Sequence, residues 1–161
     1  MYKKFTKEEA DANTNAVAKS IRKAVLVTGF ISYFQNTLIG KSLLRSALDG
    51  TIPAEDLNKV KDDLVEIHSR IEADFEGVEG RVNHNREEVI AGVRSIVEAR
   101  GIEKEDVEKQ IDELRELYVS VEVEFMEEVN TSREVFLSLY KEFLDTLPKF
   151  DLANMEVEGV A

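Results

Sequence analysis

A chain of 161 residues, 43% apolar and 34% charged, suits one folded domain with a single core. Two prolines and eight glycines supply too few turn residues for a β-sandwich or barrel, and the absence of cysteine excludes disulfides and thiolate zinc sites. A formal net charge of -12 disfavours nucleic acid or anionic lipid as partners for the bulk of the protein. The charge is uneven, however. Residues 1–50 carry eight Lys/Arg against four Asp/Glu, and residues 51–161 carry thirteen against twenty-nine. Only the basic first third is a candidate for either kind of partner.

The first helix is announced by Thr6-Lys7-Glu8-Glu9, a capping box in which Thr6 accepts from an amide three residues on and Glu9 reaches back. The helical pattern continues to Asp49, and Gly50 is a C-terminal stop. Inside this segment, Ala24 to Gly40 is a run of seventeen uncharged residues, framed by Lys19, Arg22 and Lys23 on one side and by Lys41 and Arg45 on the other. Two special readings of that run fail. Ala24–Gly29 followed by Gly40-Lys41-Ser42 resembles a nucleotide-binding strand and loop. The phosphate cradle needs glycine five residues before Gly40, where this chain has Gln35, and no later acidic strand supplies a magnesium ligand. Lys41 is therefore expected to be a helix-surface charge. As a membrane span the run gives only about 25 Å of helix against a hydrocarbon core of about 30 Å. It also contains Thr28, Ser32, Gln35, Asn36 and Thr37.

Thr51-Ile52-Pro53-Ala54-Glu55-Asp56 opens a second helix, with proline in the first turn and acids beside its amide end. Leu57, Val60, Leu64, Ile67 and Ile71 step through it at heptad spacing. Gly101 is the expected stop, and Glu103 to Asp106 load the first turn of a third helix. Its seam is Val107, Ile111, Leu114, Tyr118, Val121 and Phe125, and Leu147-Pro148 is expected to close it. Both long segments weaken midway, at Gly77 to Asn85 and at Asn130 to Arg133. Kinks in continuous helices are preferred there over breaks, because the apolar stripe resumes on both sides. Residues 119–125 alternate like a half-buried strand, but the longer heptad through them favours helix. The two segments match at an offset of 50, from Ile52/Ile102 to Phe75/Phe125, which shared heptad composition explains.

No chemistry-bearing constellation emerges. His68 and His84 lack the preceding Glu of a Glu-x-x-His pair, and Glu122, Glu124, Glu127 and Glu128 read as a solvated acidic face. His68 is expected to flank the seam and His84 to be exposed. No catalytic residue, metal ligand or cofactor is expected.

The expected fold is all-α: an elongated antiparallel bundle of three long helices, kinked or broken near 77–85 and 130–133, with coiled-coil-like packing. One domain spans residues 1–150, followed by a flexible tail at 151–161. With turns near residues 50 and 101, the apolar run lies opposite roughly 61–77 and 125–141, where Leu64, Ile67, Ile71, Phe75, Phe125, Val135, Phe136 and Leu139 offer it a home. The run is apolar most of the way round, and such a helix wants burial on all sides. The expected function is therefore non-enzymatic: a structural or assembly protein that meets a copy of itself, or a partner protein, through Val25, Leu26, Phe30, Ile31, Phe34, Leu38 and Ile39. A cytoplasmic setting is expected. The alternatives are a bundle that associates with or inserts into a membrane through the same segment, and an acidic inhibitor that mimics nucleic acid through residues 103–128.

Overall fold

The computed structural model describes residue 4 and residues 6–159, with side chains as far as residue 147. Every regular element among the described residues is helical: α1 (Lys7–Gly29), α2 (Ile31–Leu48), a short 3-10 turn (Ala54–Asp56), α3 (Leu57–Ala99) and α4 (Lys104–Gly159).

The capping chemistry is where the sequence places it. The Thr6 side chain accepts from the Glu9 amide at 3.1 Å, and a Glu9 carboxylate oxygen accepts from the Thr6 amide at 3.0 Å. At the end of α2, Gly50 has φ +74°, a left-handed conformation open to glycine at no steric cost. This lets the Thr51 amide reach back to the Ser46 carbonyl at 3.1 Å, closing the helix end. Gly101 adopts the same φ between α3 and α4. Pro53 then leads into the tight turn at Ala54–Asp56, where the Asp56 amide donates to the Pro53 carbonyl.

Two expectations are corrected. The first segment is not one helix: α1 and α2 are separated at Phe30, whose backbone sits at φ -119° and ψ 24° and whose amide reaches the carbonyls of both Leu26 and Val27. Gly29 just before it carries the lowest helix propensity of any residue but proline, about 1 kcal/mol below alanine. The third segment does not close at Pro148, because α4 continues to Gly159. The two weak points at 77–85 and 130–133 lie inside uninterrupted helix, and residues 119–125 are helical.

The chain divides into two compact units. Unit 1 comprises residues up to Phe30 together with Gly77–Glu127, and unit 2 comprises Ile31–Glu76 together with residues from Glu128 on. The boundaries thus fall at the α1/α2 break, at the start of the weak point of α3 and just before that of α4. The core of unit 1 contains Leu26, Phe30, Val78, Val82, Ile90, Val107, Ile111, Val121 and Phe125. At one end of it Ile90, Val107 and Ile111 gather Val93, Val97, Ile102 and Leu114. The core of unit 2 contains Tyr33, Leu44, Leu64, Ile71, Val129, Phe136 and Phe143, and all five seam residues predicted for 57–71 are buried.

Candidate functional site

The seventeen-residue apolar run is shared between the units. In unit 1, Leu26 and Phe30 face inward, and the Phe30 ring lies 5.4 Å from that of Phe125, with the Arg81 guanidinium 4.2 Å over its other side. In unit 2, Tyr33, Thr37, Gly40 and Leu44 form the inward face of α2. Gly40 sits there because nothing larger fits: a β-carbon at this position would lie 2.5 Å and 2.8 Å from ring atoms of Phe136 and 3.1 Å from Ile67. The glycine that resembled part of a phosphate loop is a close-packing contact instead.

Of the residues expected to form a contact surface, Leu26 and Phe30 are thus core residues, and Phe34 is half-buried beside Tyr33, with their rings edge to face at 5.5 Å. Val25 on α1 and Ile31, Leu38 and Ile39 on α2 are exposed, Leu38 to 66%. The structure also exposes Val17 and Ile21 on α1, each to 58%, which lie before the run and were not singled out by it. Their signal was periodic: Val17, Ile21 and Val25 are four residues apart and share one helix face.

α1 meets its own unit through a narrow row, Ala18, Arg22, Leu26 and Phe30, again four residues apart. Arg22 is the anomaly in that row, 2% exposed amid apolar side chains. It is held by Glu122, itself 4% exposed, with 3.4 Å between Arg22 Nη2 and Glu122 Oε2. Arg22 also donates to Asn85 Oδ1 and to the Val82 carbonyl, and its guanidinium lies 5.1 Å from the Tyr118 ring. Arg86 donates to the other oxygen of Glu122. One carboxylate therefore serves two guanidinium groups. Even so, Arg22 Nε and Glu122 Oε2 lack a hydrogen-bond partner among the described residues. Glu122 is a correction: it was expected on a solvated face with Glu124, Glu127 and Glu128, and only those three are exposed. Asn85, expected as a weak point of α3, stays helical while its side chain serves Arg22.

Unit 2 has a second charged cluster nearer its surface. Arg133 grips Glu72 with two hydrogen bonds of 2.7 Å and lies 4.3 Å over the Phe75 ring. The hydrogen bonds from Arg133 hold the Glu72 carboxyl below its ordinary value. His68 lies 4.0 Å from Glu72, partly exposed, and stacks on Phe136 and Tyr140. Tyr33 donates its hydroxyl to the Val129 carbonyl at 2.8 Å, and burial pushes its pKa up to about 12 against the opposing pull of Arg133. His84 is exposed on α3, 3.1 Å from Glu88.

These clusters hold helices together. Neither presents a nucleophile with a base, and among the described residues no group of three His, Asp or Glu is arranged to hold a metal ion. No helix among the described residues is long and apolar enough to cross a membrane. In unit 1 a shallow groove is lined by Thr14, Asn15, Ala18 and Lys19 of α1 and by Gln110, Glu113 and Leu117 of α4. Comparison with protein-family models, with curated proteins and with solved structures found no match.

Proposed function

We propose that the chain carries out no chemistry of its own and acts as a structural or assembly component, self-associating through its N-terminal helical segment by coiled-coil-like helix contacts. The observation that supports this reading is the exposed apolar face of α2, where Ile31, Leu38 and Ile39 stand in solvent. Burying one such side chain contributes about 1.5–3 kcal/mol. A few of them, contributed twice by two copies, suffice to offset a substantial part of the cost of association. The test is the native mass of the full chain by analytical sedimentation over a wide concentration range. Association that weakens on Leu38→Glu supports the reading, and a stable, well-folded monomer at high concentration contradicts it.

A second reading has one observation in its favour. Leu38, Lys41 and Arg45 follow one another at helical spacing on α2, so an apolar and a basic edge lie on one face, as in helices that rest on a lipid surface. Co-flotation with anionic vesicles, lost on Leu38→Glu, would favour membrane association over assembly. The acidic-mimic reading is weakened by local pairing: Glu108 is engaged by Arg94, Asp112 by Arg115, and Glu122 is buried.

A further inference from the structure

The break between α1 and α2 lacks the capping devices seen at Thr6, Gly50 and Gly101. Phe30 has no side-chain oxygen to offer the first amides of α2. No acid stands in the first turn of α2 and no base in the last turn of α1. Gly29 does not take the left-handed conformation that Gly50 and Gly101 adopt. Local chemistry around this single non-helical residue therefore favours one helix from Lys7 to Leu48, as the apolar pattern does. What holds the bend is tertiary. Phe30 is buried against the Phe125 ring, with the Arg81 guanidinium over its other side, and it ends the row through which α1 docks on its own unit. We propose that α1 is exchanged between copies: the groove that it fills in its own unit 1 is the docking site for the α1 of a second copy, and Phe30 is the hinge.

The chemistry of the groove selects its occupant. Its floor holds the Glu122 carboxylate, the Asn85 side chain and the Val82 carbonyl, all of which meet the Arg22 guanidinium. Such a floor favours a helix that brings a guanidinium to the same depth, with a small residue one turn before it and apolar residues one and two turns after. Ala18, Arg22, Leu26 and Phe30 are that row, and a second copy carries it by necessity. Every contact that α1 makes within its own chain is thus remade between chains. The two forms then differ only in the cost of association and in the hinge, which is bent in one and straight in the other. A tethered α1 competes at high effective concentration, so the exchanged dimer forms at high protein concentration. It persists on dilution, because α1 must undock before it can return. The inference rests on the self-association proposed above and names the helix that is exchanged.

The experiment combines sedimentation with thiol cross-linking, for which the cysteine-free chain is a clean background. Asn15 of α1 and Glu113 of α4 are exposed and line the same groove, so cysteines there leave the buried row intact. Asn15→Cys and Glu113→Cys chains are mixed unfolded, refolded together at high concentration and treated with a bismaleimide that spans the groove. The chain carrying both substitutions is the control, and it should cross-link within itself when dilute. Failure of that control contradicts the docked α1 on which exchange depends. The expected result is a self-associated wild type and a covalent dimer from the mixture, well above the yield of either protein alone. Inserting Gly-Ser after Phe30 keeps the docking row in register but prevents a single straight helix, and it should suppress both the dimer and the cross-link. A wild type that associates, loses association on Leu38→Glu and gives no covalent dimer in the mixture overturns the exchange and leaves the broader reading standing. An insertion variant that associates and cross-links like wild type contradicts Phe30 as the hinge. A wild type that is monomeric throughout overturns both the exchange and the broader reading.

Discussion

Arg22 and Glu122 show how costly a buried charge becomes when its partner is removed. Desolvating both is unfavourable, and the shared carboxylate offsets this only while it stands between Arg22 and Arg86. Glu122→Leu would strand two guanidinium groups, one fully buried, and is predicted to destabilise unit 1 by about 3–5 kcal/mol. Arg22→Met leaves Glu122 paired with Arg86 and should cost clearly less. Chemical denaturation followed by helix signal measures both, and equal losses would show that the network is not organised around the carboxylate. At Gly40 a different effect decides. Alanine would gain about 1 kcal/mol of helix propensity but must displace the Phe136 ring, an overpacking cost of about 1–3 kcal/mol. Gly40→Ala is therefore predicted to lower the melting temperature, with recovery on adding Phe136→Leu. Two titrating groups in unit 2 set opposite pH limits. Glu72 has a lowered folded pKa, so its contribution, about 1 kcal/mol for a partly exposed pair, is present above its ordinary value of 4.5 and is lost as pH falls below it. Tyr33 has a raised one, so its contribution is complete below pH 10 and is lost as pH rises toward about 12. Comparing stability against pH for wild type, Glu72→Gln and Tyr33→Phe should show the acid slope reduced in the first variant and the alkaline slope reduced in the second.

At the scale of elements, most helix starts and stops were legible because each depends on a few adjacent residues: the Thr6–Glu9 box, Gly50, Pro53 and Gly101. The stop expected at Pro148 was not one, since α4 continues to Gly159. The break at Phe30 was less legible. Its local cue, Gly29, lies inside the most apolar stretch of the chain, where periodicity argued for continuity. The converse holds at Asn85 and Asn130–Arg133, whose composition signals a break. There the side chains of Asn85 and Arg133 are engaged by Arg22 and Glu72, and tertiary contacts override propensity. α1 itself is the least secured helix. Through residue 17 it is exposed on every side, so its N-terminal half depends on its cap. Thr6→Ala is predicted to cost about 1 kcal/mol locally. Amide exchange should show faster exchange over residues 7–15 with protection at Ile90 and Ile111 unchanged. Uniform acceleration would mean that α1 is integral to the unit.

For the whole molecule, the all-helical class and the buried seam of residues 57–71 followed from periodicity alone. Which apolar side chains stay exposed was only partly legible. The apolar run identified α2 residues that are exposed, such as Leu38 and Ile39, but also Leu26 and Phe30, which the core of unit 1 takes up. Hydrophobicity alone cannot tell which of several apolar faces a helix turns inward. Arg22 can be buried in such a face because Glu122, a hundred residues away in the chain, meets it. The consequence is an acidic chain with apolar helix faces in solvent, and that combination predicts association that strengthens with salt, as screening removes repulsion between copies. The most direct measurement is the sedimentation mass of the full chain across concentration at low and high salt. The account predicts mass above the 18.2 kDa of a single chain, rising with concentration and with salt. A folded 18.2 kDa species at every concentration and salt level would contradict it.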